Sequence, residues 1–454
     1  LTLGESIFSI LKQIKLIEGE LRILHGDTLI QNYPYSKTDI ISEGLTSDYY
    51  TWAEYSIFPD GKINFSDGLP EGPGENSMAG GRNVLSGFFS FSDAKLYLGS
   101  LKLAKYNFIN SLNSYSDTRP LNPLNIGTWL DFGHLENYYQ SKAKMTTERS
   151  FNEMDIARYT VQKSSNNDLK IDSELNWFKQ LPSQLRIFTP HFLGEFSKGT
   201  SKGYETEHLY LSTLSDLSVF GRLPTYVWQR IFQSCDEFLV ACGEHKPPHF
   251  DTASNQLYKD KTLERLEIYA KQSETSLDKN WYYDNTPIPS LKSITEEVAL
   301  LIPSVKPKDL QVIHGDFCFS NIFYDFRPGS IKVVDPRGYT FGETASIYGD
   351  VRYDIAKLFQ SAIGGYDHIV CGQHILKEEG KYRLSITMPA EPQLEETKHI
   401  FCDRTFAGYT ISDASSHLIS ILLFLSMLPL HSDRPERQRA FLANALRLYT
   451  EFKS

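Results

Sequence analysis

The residues best equipped for chemistry lie in one stretch, Gln311-Val-Ile-His-Gly-Asp-Phe-Cys-Phe-Ser-Asn-Ile-Phe-Tyr-Asp325, continuing through Phe326-Arg-Pro-Gly-Ser330 to Ile331-Lys-Val-Val-Asp-Pro-Arg-Gly338. Two β-branched and aromatic runs, Ile322–Tyr324 and Ile331–Val334, flank a Pro-Gly turn signal and read as a β-hairpin. Folding it about Pro328 sets Asn321 opposite Asp335, each seven residues from the turn centre. Directly opposed residues on paired strands have Cβ atoms roughly 4.5–5.5 Å apart. An amide oxygen and a carboxylate at that separation could hold one hard cation such as Mg²⁺. Just upstream, Gly315 permits the sharp backbone path that an active-site loop needs, and Asp316 follows it. A carboxylate beside a metal-bound nucleotide can accept the proton of an attacking hydroxyl, which is the chemistry of phosphoryl transfer.

The spacing His314-Gly315-Asp316-x-x-x-x-Asn321 resembles the catalytic loop of the aminoglycoside phosphotransferase and choline kinase-like family, small-molecule relatives of protein kinases. The resemblance covers roughly residues 147–450 and implies a bilobal protein kinase-like fold. It implies ATP and Mg²⁺ as cofactors, Asp316 as the catalytic carboxylate with His314 beside it, and Asn321 and Asp335 as metal ligands. Asp354, in the segment Tyr348-Gly-Asp-Val-Arg-Tyr-Asp354, is implied as the acid that buttresses the loop, with Asp350 the alternative as a helix N-cap. Arg337 either contacts phosphate or substrate or closes a salt bridge within its own loop.

Such a loop needs a nucleotide platform ahead of it. Arg158–Ser164 reads as a strand carrying Lys163, and Ile171–Leu181 as a helix, stopped by Pro182, with Glu174 on its first turns. In kinase-like folds a strand lysine holds the α- and β-phosphates and pairs with a glutamate on the following helix. Alone, Lys163 would be an exposed strand lysine and Glu174 an acid favoured by the helix macrodipole. Their order ahead of the hairpin makes them the expected nucleotide-binding pair. His191–Phe196 and Glu207–Ser212 read as two further strands joined by the loop Ser197–Gly203. No glycine-rich loop precedes Lys163, where Ser150–Glu153 is the only candidate turn. Helical patterns then dominate: Val227–Cys242, Lys261–Lys271, Ile294–Ile302 and two or three helices within residues 391–450. Residues 243–260 and 273–291 read as loops.

The amino-terminal third has a different character. Residues 3–17 form an amphipathic helix by their apolar spacing, and the strand Leu21–His25 ends in Gly26-Asp27. Carboxylates just past the carboxyl end of a strand lie where open α/β sheets bind ligands. Residues 66–83 are rich in Gly, Pro and Asn and read as a loop, and Asp93–Asn110 as a helix. Gly127-Thr-Trp-Leu-Asp-Phe-Gly133 follows, then the helical stretch Glu136–Met145. Together these resemble the sugar-1-phosphate nucleotidyltransferases, which implies a partial Rossmann-like domain with Asp27 and Asp131 as Mg²⁺-binding acids. The glycine-rich, Arg- and Lys-bearing nucleotide loop of that family is missing ahead of the first helix and strand. Because the chain opens at Leu1 inside a helix, a fragment boundary is one expectation there.

The expected organisation is therefore α/β and α+β and multidomain: a nucleotidyltransferase-like domain at residues 1–146, a kinase-like N-lobe at 147–215 and a helical C-lobe at 216–454. A net charge of −10 and the lack of any Lys/Arg cluster argue against a nucleic-acid partner. The most apolar run, Leu418–Leu428, is too short to span a bilayer and reads as a buried helix, so no membrane insertion is expected. Five scattered cysteines without C-x-x-C spacing suit reduced thiols in a cytoplasmic protein. The expected activity is phosphorylation of a hydroxyl on a sugar, polyol or amino alcohol, so the partners are a small-molecule substrate and a nucleotide. Homo-oligomerisation is left open. Kinase–nucleotidyltransferase fusions resemble bacterial capsule or surface-polysaccharide biosynthesis proteins, which implies a role in precursor synthesis. Two rival expectations are a fragment of a bifunctional enzyme whose nucleotidyltransferase half is the main activity, and a non-catalytic pseudokinase scaffold.

Overall fold

The computed structural model describes residues 1–14, 18–31, 35–46, 51–68, 82–125, 127–134, 137–138, 141, 153–165, 168–198, 201–249, 254–339 and 345–454. The chain divides into two compact units, Leu1–Glu148 and Arg149–Ser454. The stretch at residues 146–150 read as a domain boundary, most of the candidate turn Ser150–Glu153 and most of the helix expected at Glu136–Met145 lie outside the described residues.

In the first unit, helix α1 (Leu3–Gln13) begins with a reciprocal capping box between Thr2 and Glu5. Strands β1 (Leu21–Leu24), β2 (Thr28–Ile30), β3 (Ile40–Thr46), β4 (Ala53–Ile57), β5 (Ile63–Asp67) and β6 (Arg82–Phe91) follow. Helices α2 (Ala94–Leu103) and α3 (Phe108–Ser116) and strands β7 (Asn122–Asn125) and β8 (Trp129–Asp131) complete it. The single helix expected at Asp93–Asn110 is two, because Lys105 and Tyr106 both take positive φ and break the hydrogen-bond ladder. The principal sheet has the order β1-β6-β3-β7, antiparallel at β1–β6 and β6–β3 and parallel at β3–β7. A Rossmann-like sheet is mainly parallel, so these pairings do not establish the nucleotidyltransferase expectation. The core is aromatic: Phe89, Phe91, Tyr97 and Tyr115 are all buried, with Phe91 stacked on Tyr97.

The second unit has a mixed α/β fold. It opens with a four-stranded antiparallel sheet of order β11-β12-β10-β9, made of β9 (Glu153–Ile156), β10 (Thr160–Ser165), β11 (Phe192–Lys198) and β12 (Ser201–Glu207). Helix α4 (Asp168–Gln180) crosses between β10 and β11. The strand expected at Glu207–Ser212 lies earlier, at β12, and Lys198 pairs directly with Ser201 within the stretch expected as a seven-residue loop. The chain continues through β13 (Ser212–Thr213), α5 (Leu214–Val219), α6 (Thr225–Gly243) and α7 (Ser254–Ser273). Residues 273–291, expected as loop, contain the hairpin β14 (Trp281–Tyr283) and β15 (Thr286–Ile288), followed by α8 (Leu291–Leu301).

Then comes the expected hairpin, flanked by short strands: β16 (Leu310–Val312), β17 (Ile322–Asp325), β18 (Ser330–Val333) and β19 (Tyr348–Asp350). Helices α9 (Val351–Ala362) and α10 (Tyr366–Val370), strands β20 (Ile375–Glu378) and β21 (Arg383–Thr387), and helices α11 (Pro392–Cys402), α12 (Ser416–Ser426) and α13 (Pro435–Lys453) complete the unit. Helix α12 is apolar all round and nearly every residue is buried, as a central helix requires. Among the described residues no helix is long and apolar enough to cross a membrane.

Candidate functional site

The hairpin register differs from the one expected. Asp325 pairs with Ser330 and Ile322 with Val333, so Asn321 lies opposite Val334, whose N–H donates to the Asn321 carbonyl at 3.0 Å. The turn axis falls between Arg327 and Pro328, because Asp325 accepts from the Arg327 amide and Gly329 takes φ +68°. Asp335 is thus one residue past the pair, with φ +57°. That left-handed conformation is uncommon for a side-chain-bearing residue, and asparagine and aspartate tolerate it best. It turns the carboxylate out of the strand alternation, and the Oδ1 atom meets Lys163 Nζ at 2.9 Å.

Lys163 is the junction of the site. Its side chain, 3% exposed, reaches Glu174 Oε2 at 2.8 Å as well as Asp335. Tyr204 on β12 donates to the same Glu174 oxygen at 2.7 Å. Burial would strip Lys163 of its proton, but Asp335 and Glu174 outweigh that and raise its pKa above the ordinary lysine value. Burial also raises the Glu174 carboxyl, with Lys163 opposing, and would raise that of Asp335, which Lys163 instead holds low. Gly338 makes this junction possible. It has φ +67°, and a Cβ there would lie 2.0 Å from the Ser173 carbonyl oxygen, so the Asp335–Gly338 turn lies directly on the backbone of α4 beside Glu174.

Asp316 stands on the neighbouring loop with 37% of its side chain exposed. Its Oδ1 meets Lys357 Nζ at 2.9 Å, and its Oδ2 accepts from the Asn321 amide at 3.0 Å. The same amide donates to the Asp316 carbonyl, which closes the loop on itself. Burial would raise the Asp316 carboxyl, but Lys357 and Arg337 prevail and hold it at about 2. Lys357 lies three residues after Asp354 on α9, so both reach the loop from one helix face. The sequence reading gave Lys357 no role, although this i, i+3 spacing was the available signal.

The backbone of the loop is fixed from below. Asp354 is fully buried and accepts the N–H of His314 at 2.7 Å and of Gly315 at 2.8 Å. Asp350 also has the N-cap role, accepting from the Arg352 amide, so the two alternatives are met by two residues. His314 is fully buried: Nε2 lies 2.9 Å from the Val334 carbonyl and Nδ1 accepts the Asp316 N–H at 3.2 Å. That arrangement fixes the neutral tautomer with its proton on Nε2, and burial lowers the imidazole pKa to about 4. Arg337 donates to the Tyr353 hydroxyl at 2.8 Å and lies over that ring, 4.8 Å from its centroid.

The second carboxylate pair is in the first unit. Asp27 and Asp131 both crowd Gly133, where a Cβ would stand 2.6 Å from Asp27 Oδ2 and 3.3 Å from Asp131 Oδ1. Asp131 Oδ1 accepts the Gly133 N–H at 3.0 Å, and Oδ2 meets His134 Nδ1 at 2.8 Å and the Asn137 amide at 2.9 Å. These contacts make Asp131 the organiser of the turn that follows β8. Among the described residues no group of three or more His, Cys, Asp or Glu side chains is arranged to hold a metal ion.

No protein-family model and no curated protein matches the chain. Among solved structures it is similar to a thermostable mutant of aminoglycoside phosphotransferase APH(4)-Ia in apo form, at 14% identity over 68% of this chain and 98% of that one, with a TM-score of 0.40. A ternary complex of a substituted form of that enzyme with ADP and hygromycin B gives 13% identity over 66% and 90%, with a TM-score of 0.41. A choline kinase from Cryptosporidium parvum Iowa II gives 11% identity over 67% and 87%, with a TM-score of 0.36. At such TM-scores the geometry, and not the likeness, carries the reading of the site.

Proposed function

We propose that residues 149–454 form a bilobal, kinase-like phosphotransferase that moves the γ-phosphoryl group of ATP to a hydroxyl of a sugar, polyol or amino alcohol. The observation that carries this reading is Lys163 Nζ, which bridges Glu174 and Asp335 across 172 residues of sequence. A buried lysine shared by a helix glutamate and a turn aspartate has no evident purpose in packing, but it suits a phosphate-holding cation that must stay charged.

The geometry supports the following roles. Lys163, kept protonated by Glu174 and Asp335, steadies the nucleotide phosphates. The Asn321 amide oxygen and the Asp335 carboxylate, 39% exposed beside Lys163, are hard oxygen donors of the kind Mg²⁺ takes. When bound there, the cation would neutralise phosphate charge. Asp316 orients the acceptor hydroxyl. A carboxylate held at about 2 is a weak base, so its main contribution is position and charge, in keeping with a reaction dominated by both. The acceptor oxygen forms its bond to the γ-phosphorus, and the bond from that phosphorus to the β,γ-bridging oxygen breaks. The electron pair leaves on ADP, and the hydroxyl proton passes through Asp316 to water. His314 is buried with both nitrogens on backbone groups, so it acts through the loop as a positioning residue together with Asp354.

A role in surface-polysaccharide precursor synthesis belongs to the same proposal and rests on the fusion with the first unit alone. The test is an ADP-release screen of the full chain with Mg²⁺ and ATP against sugars, polyols and amino alcohols. Acceptor-dependent release that is lost in Asp316→Asn is the expected result. No metal-dependent ATP binding by calorimetry would overturn the proposal in favour of a scaffold.

A further inference from the structure

The backbone at Asp316 and the carboxylate that it carries are held by different means. Asp354 takes the amides of His314 and Gly315, and His314 Nδ1 takes the amide of Asp316, so the main chain is pinned from below. None of these bonds reaches the Asp316 carboxylate. On a fixed backbone an aspartate still chooses among staggered rotamers. Asn321 holds Oδ2 at 3.0 Å, but it belongs to the same loop. Lys357 holds Oδ1 at 2.9 Å, and it comes from α9. That helix is buried from Val351 to Ala362, and a side chain on such an element is placed more precisely than one on a loop. The lysine is fixed in its turn. Its side chain is 11% exposed, and Nζ also donates to Gln360 Oε1 at 3.3 Å, three residues on along the helix. Gln360 is fully buried, with its amide nitrogen 3.6 Å from the sulfur of Met427 at the end of α12.

We infer that Lys357 is a positioning residue for phosphoryl transfer: with Asn321 it clamps the Asp316 carboxylate at both oxygens and sets the direction from which that carboxylate meets the acceptor hydroxyl. This inference rests on the kinase reading above and adds a residue to its machinery. An ionised carboxylate has about four acceptor sites, so two donors leave about two for the hydroxyl. Because 37% of the Asp316 side chain is exposed, an acceptor can reach them. The two clamps differ in what they refer the carboxylate to. The Asn321 amide moves with the loop, whereas Lys357 ties the carboxylate to the helix that also carries Asp354. Backbone and side chain of the catalytic acid are thereby set from one helix face. An ammonium does this with a charge-assisted bond, roughly twice as strong as a neutral one. With Nζ engaged by Asp316 and Gln360, the effect of Lys357 falls on turnover through the carboxylate and leaves nucleotide affinity alone.

The test uses the full chain with Mg²⁺ and ATP, with glucose, glycerol and ethanolamine as acceptors and with water where none of them is turned over. Lys357→Met should lower kcat about 10²-fold, the scale of a misplacement of about 1 Å. Mg²⁺-dependent ATP affinity by calorimetry should stay unchanged. Lys357→Arg, which keeps a cation of similar reach, should recover about tenfold of the lost rate. The decisive measurement is a double variant. Once Asp316→Ala has removed the carboxylate, Lys357→Met has nothing left to position and should add no further loss. Losses that multiply would show that Lys357 acts elsewhere and would sink the inference, as would a Lys357→Met chain that is as fast as the parent. Lys357→Gln serves if the methionine disturbs folding, and loss of the urea transition in both variants would make Lys357 a structural lysine, which also counts against it. A parent chain that fails to bind ATP with Mg²⁺, or that releases no ADP with any acceptor or with water, removes the kinase reading and this inference together. Parent turnover with an unaffected Lys357→Met removes the inference alone.

Discussion

The two units each present a pair of acids, and they hold them in opposite ways. In the first unit the carboxylate of Asp131 takes its partners from the few residues that follow it, Gly133, His134 and Asn137, and Ser141 donates to its carbonyl. Its side chain is almost fully buried, and its partners reproduce the bonds that water would otherwise make. In the second unit Asp316 and Asp335 take their charged partners, Lys357 and Lys163, from distant segments, and keep more than a third of each side chain exposed. Lysines hold these carboxylates charged while oxygen remains accessible. What separates a candidate catalytic acid from a turn acid is therefore the origin and sign of its partners, since residue type and nearby glycines are common to both.

The sharpest way to break that comparison is to neutralise an acid in each unit. Asp316→Asn should lower acceptor-dependent ADP release by about 10³-fold, with Mg²⁺-dependent ATP affinity retained. Asp27→Ala and Asp131→Ala should leave ADP release unchanged, while Asp131→Ala lowers the stability of the first unit by about 1–3 kcal/mol through its orphaned donors. Similar losses of release from both units would erase the distinction.

Removing the cation comes next in size. Lys163→Met leaves Glu174, only 2% exposed, without its counter-charge, and breaking a buried pair from one side costs about 3–5 kcal/mol. Urea unfolding should report that loss in the second unit, and calorimetry should report weakened ATP binding. A variant as stable as the parent would mean that Glu174 protonates without penalty, which would weaken the case for a held charge.

Much of this was legible in the sequence because the relevant signals are local. The His314–Asn321 spacing, the Pro-Gly turn and the order of Lys163, Glu174 and Asp335 all survive in the fold. The register of Asn321 did not, because it depends on which of two adjacent peptide units carries the turn axis, and Asp325 decides that through its bond to the Arg327 amide. Lys357 was missed for a similar reason. Its partner Asp316 belongs to another element, and the i, i+3 spacing from Asp354 shows a shared helix face without showing what that face meets.

The two glycines give a smaller and more discriminating contrast. In Gly338→Ala the new Cβ meets the Ser173 carbonyl oxygen, part of the α4 backbone, at 2.0 Å and at a positive φ, so nothing nearby can yield. A cost of about 1–3 kcal/mol and at least tenfold weaker ATP binding are expected, because Asp335 must move from Lys163. In Gly133→Ala the atom encountered at 2.6 Å is Asp27 Oδ2, the end of a side chain that can swing aside. A small loss of stability and unchanged ATP binding should follow. If Gly133→Ala proved the more damaging, the first unit would hold its acids more rigidly than its local hydrogen bonds imply.

The gentlest prediction concerns pH, and it turns on two buried groups that act in opposite directions on one loop. Burial lowers His314 from 6.5 to about 4, so as pH falls through that interval the unfolded chain takes up a proton that the folded chain refuses. Its contribution to stability is present above 6.5 and is lost on acidification. Burial raises Asp354 from 3.8 to about 7 against the two amide donors, so the folded chain keeps a proton that the unfolded chain releases. Its contribution is present below 3.8 and is lost as pH rises. Between about 4 and 6.5 the two slopes oppose each other, each at most about 1.4 kcal/mol per pH unit. Relative to the parent, Asp354→Asn should therefore lose stability more steeply on acidification, and His314→Gln more steeply on alkalinisation. Urea midpoints of the second unit across that range would measure both. Parallel slopes in all three proteins would mean that the loop carries neither group in the protonation state its burial dictates, and the fixed neutral imidazole beneath Asp316 would have to be abandoned.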